Sequence, residues 1–585
     1  VLLTYSAGLD RQLILNEASY RSIRGTILGL EKSQDEEKVS IRSRRTWPPY
    51  REEWDGTDER RRFEDDLSRS VKAGIYSREA GYPEVEYDRA IGALGGAMLG
   101  RWPTVQTRSG KPRLWTGRLT SLNIYSTWAA QVKATRSANE AWKMFESPPE
   151  QGLKPNFQVY AEMFEKLLAH QVLDPSSAIP GESREVFPPY EVNLTSVEKA
   201  RLQPPSVQEL YERMLRAGNR PVGKCLALLV AHSSSHREAR QYLLDSPFRE
   251  YVSTLTDTNS EMPTLQSLRK IPLPIFNAYI SLLCKLPSDE SQEASSTDSH
   301  IRRAIKLVSI RLSPSTPEGR VYKSPWHSIV RALAMARHRS GNAEQPRTET
   351  LSTLLDLIDQ VQRQMGMDVI LFEQLSIAVF RAMSAIFLGD ASPTFMSESD
   401  GSYRISLSSQ GGNDGVASVL EQDVRLLQRA HSMLVSAFED LSRPAREGMS
   451  TSEEDGITEP AASISALHIY RYVRALRCYG DSEYMAKAVR WILSSCSEGR
   501  CMESSRVTGT RDHAYISRIL QHIQGTGNQQ VVQELKEAVQ QLNKEGIPWI
   551  WPDNDEMDGT TDEDDVISMA SIIASHWLSA CNAVE

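Results

Sequence analysis

The chain has 585 residues, 40% of them hydrophobic and 24% charged, with a net charge of -9; that is enough for more than one compact domain, and too acidic overall for a protein whose whole surface tracks a nucleic-acid backbone. Six cysteines in so long a chain do not make a disulfide framework, and no apolar run reaches the roughly eighteen residues of a membrane span. The charge is unevenly placed, with nine Lys and Arg against three Glu between Arg101 and Asn156 and eight acids without a base between Asp553 and Asp565.

Taken in chain order, apolar residues at helical spacing predict a helix in 15–31 with Ile23, Ile27 and Leu30 on one side, a second over 61–75 and a third over 84–98. Residues 99–118, rich in Gly, Pro, Thr and Arg, read as an irregular basic segment. Two short amphipathic helices follow between Leu122 and Asn156, the first lining up Ile124, Trp128 and Val132, the second Ala138, Ala141, Trp142 and Phe145. Ser137 and Glu140 have the spacing of a capping box, and Gly152 with Pro155 is expected to close the second helix. Each helix has one stripe to bury, so the two should form an antiparallel hairpin whose outer faces need neighbouring hairpins.

The next unit opens with a helix at Phe157, and its partner, 205–222, is displaced by a proline-containing insertion at 170–205 that reads as a surface loop. Further helices are expected at 224–232, 235–246, 274–286, 299–312, 325–339, 350–368 and 370–388, with Ser235 and Glu238 again at capping-box spacing. Ser-, Gly- and acid-rich interruptions at 389–418 and 443–463 flank a helix over 420–441. The pattern resumes at 468–480, 483–496, 515–524 and 529–546; an acidic segment and an amphipathic stretch, 568–580, come last. No strand-period region has comparable strength, so the fold is expected to be all-α.

These shifts divide the chain into N-terminal helical repeats with a basic linker (1–121), central repeats with the 170–205 insertion (122–250), further helical repeats (251–388), low-complexity segments around one long helix (389–463), C-terminal helical repeats (464–550) and an acidic tail (551–585). There is no phosphate-cradling Gly loop with Lys and Ser/Thr, no HExxH helix and no GxSxG turn, so no enzyme activity and no cofactor are expected. Cys225 and Cys284 lie in apolar helices as core residues, and Cys496 with Cys501 lacks the second pair or His cluster a zinc site needs.

The 35-residue stretch 122–156 also resembles a pentatricopeptide repeat, with an aromatic near the start of its first helix, a small Ala in its second and a Gly-Leu-Lys-Pro-Asn ending; Tyr160 stands one such length after Tyr125. The resemblance implies an α-solenoid of antiparallel helix hairpins of the pentatricopeptide or tetratricopeptide kind, and the composition of the segments between helices adds long disordered insertions to it. In that family a base is read by the residue after the helix-A aromatic together with the last residue of the repeat, here Ser126 and Asn156, with Lys133, Arg136 and Lys154 placed for phosphate. Asn277 fits the first position in the unit at Pro274, and His327 with Asp368 forms another candidate pair, whereas Ala161 and Val222 offer no side-chain donor or acceptor. The resemblance to fungal mitochondrial members implies single-stranded organellar RNA as partner, in its stability, processing or translation, and a mitochondrial location. The alternative is a scaffold for respiratory-complex assembly or a mitoribosome-associated component. The chain starts at Val1 rather than Met, as a mature or truncated product would, so any targeting peptide is out of view.

Overall fold

The computed structural model describes residues 10, 13–43, 67–97, 105–108, 123–172, 178–182, 186–188, 195–256, 263–286, 296–335, 349–388, 395–397, 403–405, 413–443, 464–497, 511–524, 528–544 and 551. The described chain is built of α-helices, apart from short 3-10 turns and one antiparallel pair of three-residue strands, β1 (Phe395–Ser397) and β2 (Tyr403–Ile405). Contacts divide it into two compact units, Val1–Leu282 and Leu283–Glu585. No helix of the described residues is long and apolar enough to cross a membrane.

The first unit begins with α1 (Glu17–Gly29), α2 (Gln34–Ser43), α3 (Arg69–Glu79) and α4 (Glu86–Leu94). Residues 61–66 of the expected second helix lie outside the described residues, and α3 starts where Ser68 accepts a hydrogen bond from Val71 N. Arg21 and Arg24 of α1 close on Asp88 of α4 at 3.0 Å each. The helix expected to reach 98 stops at Leu94, because Gly96 turns the chain at φ +87°, and a Cβ there would stand 2.8 Å from Gln106 N.

Three hairpins follow: α5 (Ile124–Lys133) with α6 (Ala138–Glu146), α7 (Phe157–Leu168) with α9 (Val207–Arg216), and α10 (Gly223–Ala231) with α11 (His236–Asp245); α8 (Ser196–Leu202) lies between α7 and α9. The first helices α4, α5, α7 and α10 touch in one row, and each second helix packs on its own partner. This sets how much of each helix must be apolar. α5 has neighbours on both sides and buries six of its residues, Trp128 and Val132 among them, whereas α9 buries only the stripe Leu210, Tyr211 and Met214. A ladder of rings joins the central helices: Trp142 stacks on Phe145 at 5.3 Å, and Phe145 meets Tyr160 edge-on at 5.1 Å. Trp128 is 1% exposed and donates its indole N–H to the Met144 carbonyl at 2.9 Å.

Three local expectations are corrected. α6 ends at Glu146, well before Gly152, because the pyrrolidine of Pro148 pushes Ser147 out of helical geometry. Only half of its capping box forms: Ser137 accepts from Glu140 N, but the Glu140 carboxylate turns to Arg136. At Ser235 the box is likewise shifted, with the Glu238 carboxylate bound to the Ser234 backbone and hydroxyl.

The insertion is not simply a surface loop. Its described parts include α8 and the buried Val172, Val186 and Phe187. Gln171 and Val186 form a parallel bridge, in which Val172 N donates to Val186 O and Val186 N to His170 O; Phe187 N donates to the Arg136 carbonyl at 2.9 Å. Glu182 pairs with Lys32, whose side chain is 1% exposed. In the stretch read as irregular and basic, residues 105–108 form an extended piece, with Val105 N bonded to Ala134 O, Thr107 N to Leu94 O and Arg108 N to Gly181 O. These loop amides found partners on distant helix ends, which no local pattern announces.

After α12 (Val252–Thr256) and α13 (Leu265–Arg269), α14 (Leu273–Lys285) carries the chain across the division. The second unit contains α15 (Ser296–Arg311), then hairpins α16 (Ser324–Met335) with α17 (Glu349–Met365), α18 (Val369–Leu388) with α19 (Asn413–Ser442), α20 (Ala466–Cys478) with α21 (Ser482–Ser497), and α22 (Arg511–Gln524) with α23 (Gln529–Lys544). Again the first helices, α16, α18, α20 and α22, touch in sequence, so an α-solenoid arrangement of antiparallel hairpins recurs within each unit. Phe372, Phe438 and Tyr472 form its ring cluster, Phe438 stacking on Tyr472 at 4.7 Å. The helix expected over 420–441 begins at Asn413. Cys225 is buried as expected and Cys284 partly so, while Cys501, the acidic run 553–565 and the stretch 568–580 lie outside the described residues.

Because Trp128 is fully enclosed and hydrogen-bonded, Trp128→Ala should destabilise the first unit by about 3–5 kcal/mol in urea denaturation. Phe157→Ala, at a position 41% exposed, should cost well under half of that. Similar costs for the two variants would contradict the packing.

Candidate nucleic-acid interface

The residues singled out in the central repeat serve mainly as helix ends. Asn123 caps α5, and Ser126, buried on its first turn, accepts from Asn123 N at 3.5 Å. Asn156 caps α7 and accepts from Gln158 N and Val159 N at 3.0 and 3.2 Å. The oxygens of both side chains therefore face backbone amides, leaving the Ser126 hydroxyl hydrogen and the Asn156 amide NH2 as donors. Counting from the caps places Tyr125 at the second helical position of α5 and Tyr160 at the fourth of α7, so the two aromatics are not equivalent.

The basic residues divide in the same way. Arg136 and Glu140 are each 4% exposed and paired at 2.8 Å in the turn between α5 and α6, which turns Arg136 inward. Lys154 is exposed in the loop before α7, and Asn277 is half-buried on α14. Lys133 acts on the acids of the neighbouring helix. Glu162, 1% exposed, and Glu165 both bind Lys224 of α10, at 2.7 and 2.5 Å. Burial raises Glu162 despite Lys224 and Lys133; Glu165, although burial opposes it, is held at about 2 by the same two cations. Lys133, Glu162, Glu165 and Lys224 thus alternate across α5, α7 and α10, two acids between two bases.

In the second unit the structure brings His327 and Asp368 together, the His327 Nε2 standing 2.9 Å from Asp368. Lys323 joins them at 3.2 Å, and Asp368 also accepts from Leu371 N at 2.9 Å, capping α18. Burial would raise the Asp368 carboxyl, but the His327 hydrogen bond and charge, the Leu371 amide and Lys323 outweigh it and bring it to about 2. Both side chains are thereby engaged with each other between successive first helices.

A different group of residues brings cations and aromatic rings together in the second unit. Tyr470, Arg474 and Arg477 fall at i, i+4 and i+7 on α20, and Tyr515, Arg518 and His522 form a matching stripe on α22. Tyr470 lies 5.6 Å from both Tyr515 and His522, stacked on the imidazole. The guanidiniums of Arg474 and Arg518 are each 5.9 Å from the Tyr470 ring, and Arg474 also sits 3.7 Å over Phe380 of α18. Arg477 donates to His522 Nδ1 at 2.6 Å, which puts the imidazole proton on Nε2. Burial first, then Arg477, Arg474 and Arg518, lower His522 to about 3, so it is neutral at pH 7. Neighbouring Arg471 is ion-paired with Glu373.

The amino-acid sequence alone did not point to this cluster. The available signal was the two stripes of like residue types on helices one hairpin apart. Such an arrangement can stack bases on tyrosine faces while guanidiniums meet phosphates.

No family model matches the sequence, and no curated protein matches it. Among solved structures the chain is similar to the pentatricopeptide repeat protein PPR10, in its complex with an 18-nt psaJ RNA element, at 12% identity. The match covers 88% of this chain and 59% of that chain with a TM-score of 0.20. At that score the superposition carries no argument about the site, and the helical-repeat architecture stands on the chain's own helix order.

Two predictions follow from the caps and the acid pair. Asn156→Ala should lower stability by about 1 kcal/mol through the missing cap, read as a shift in urea midpoint. The depressed Asp368 gives stability that is complete above the unfolded carboxylate range near pH 4 and is lost as pH falls toward 2. Asp368→Asn should therefore flatten the fall in urea midpoint between about pH 5 and pH 2.5, and an unchanged slope would remove the pair from acid stability.

Proposed function

We propose that the chain is a non-enzymatic helical-repeat protein that binds single-stranded RNA, and that the α20–α22 face is its main contact. The observation that carries this reading is the grouping of Arg474, Arg477 and Arg518 around Tyr470 and Tyr515 on adjacent first helices. Stacking platforms beside guanidiniums accept any base while holding the backbone. The role in organellar RNA stability, processing or translation and the mitochondrial location belong to the same proposal, supported by the resemblance of 122–156 to a pentatricopeptide repeat.

One observation favours a second reading, in which the first unit grips a protein. Its first-helix row carries the balanced alternation Lys133, Glu162, Glu165 and Lys224, which suits polar protein surfaces better than a polyanion.

The test is fluorescence anisotropy of the full chain with labelled single-stranded RNA across a salt series. Arg474→Gln with Arg518→Gln should weaken binding by about tenfold or more and reduce the salt slope by roughly 0.7 for each phosphate no longer neutralised. Binding that survives the double substitution with the same slope would move the RNA site elsewhere, and absence of RNA binding by the parent protein would leave the protein-partner reading.

A further inference from the structure

Resting on the RNA-binding reading, we propose that the acidic run 553–565 of this chain docks on the first-helix row of the second unit, starting at Arg518 of α22, and competes there with RNA.

The placement comes from Trp551, the last residue described. It is half-buried, and its indole N–H donates to Gln524 Oε1 at 3.2 Å. Gln524 closes α22, so the chain is held against that helix two residues before Asp553. Two residues span at most about 7 Å, and Arg518 stands six residues from Gln524, about 9 Å along the helix. The first acids of the run are thus delivered close to Arg518, which is exposed with its guanidinium 5.9 Å from the Tyr470 ring.

Charge and length agree with this placement. The run has eight acids and no base, in two groups of four, Asp553–Asp558 and Asp562–Asp565, around Gly559, Thr560 and Thr561. Extended, a run of this length reaches about 45 Å, and packed helices stand about 8–10 Å apart. It is therefore long enough to pass from α22 across α20 to α18 and α16, which touch in that order. On those helices Arg381 donates to the Ala334 carbonyl at the end of α16, and Arg331 is exposed about one turn earlier. Carboxylates fit the same guanidiniums as phosphates do, without bases to stack on the tyrosines.

Tethering makes a weak contact effective. A segment joined to its site by so short a connection is presented at about millimolar concentration, so a dissociation constant of roughly 0.1 mM for the free segment is enough to weaken RNA binding by about tenfold.

The test compares the full chain with a full-length variant in which the eight acids are replaced by their amides. In fluorescence anisotropy with labelled single-stranded RNA, the amide variant should bind about tenfold more tightly than the parent. A labelled peptide of residues 553–565 should bind the amide variant directly, be displaced by RNA, and lose at least about threefold in affinity when Arg518→Gln is added. Arg518 is exposed, so this substitution leaves packing undisturbed; thermal unfolding checks the fold.

Equal RNA affinity for parent and amide variant would overturn the competition while leaving RNA binding in place. Peptide binding unchanged by Arg518→Gln would overturn the docking at α22. A peptide that binds while neither chain binds RNA would uphold the docking and overturn the RNA-binding reading.

Discussion

A first helix that touches first helices on both sides must hide most of its circumference, and much else in the chain follows from this. α5 and α18 meet the requirement with residues buried around the helix, such as Thr127, Trp128, Ala129 and Ala130 in one and Leu371, Phe372, Gln374 and Phe380 in the other. Second helices such as α9 have one apolar stripe and keep Glu209, Glu212 and Arg216 in solvent. Polar side chains on a first helix consequently have few places to go. They are drawn into ion pairs, as Glu162 is by Lys224, or gather along the open edge, as the tyrosines and arginines of α20 and α22 do. A buried ion pair adds little net stability over an apolar contact, but it makes loss of either partner expensive.

The hairpins were readable in the amino-acid sequence because their signal is local. Trp128 and Val132, or Trp142 and Phe145, declare a helical face within a few residues. The pieces at 105–108 and 186–188 were not readable, since each is held by hydrogen bonds to partners far along the chain: Ala134, Leu94, Gly181 and Arg136. Ser126 and Asn156 were recognisable as polar positions in a repeat. Their use as acceptors for backbone amides depends on where the helices begin, which capping geometry decides. The cluster at α20 and α22 shows the complementary limit: each stripe is visible by itself, but its meaning comes from the contact between two helices separated by a whole hairpin.

The two units use charge differently. In the first, acid and base alternate across neighbouring first helices. In the second, Lys323 and His327 share Asp368 at the start of the row, and like charges converge on a neutral imidazole at α20 and α22. Convergence of like charge works against folding, so the rings of Phe380 and Tyr470 matter there as much as the cations do, because their faces partly offset the repulsion.

His431 of α19 is bonded to Asp481 at 2.8 Å, and Asp481 accepts from Tyr484 N at the start of α21. This repeats, among the second helices, the link that His327 and Asp368 make among the first. In each case an imidazole from one hairpin holds the carboxylate that starts a helix of the next. A hairpin excised from this series, or an extra copy inserted, would leave a bond half-made at its borders and a helix start without its tether. Within these three hairpins the order is written into the joints, since removal of α18 and α19 would strand His327 and Asp481 at once.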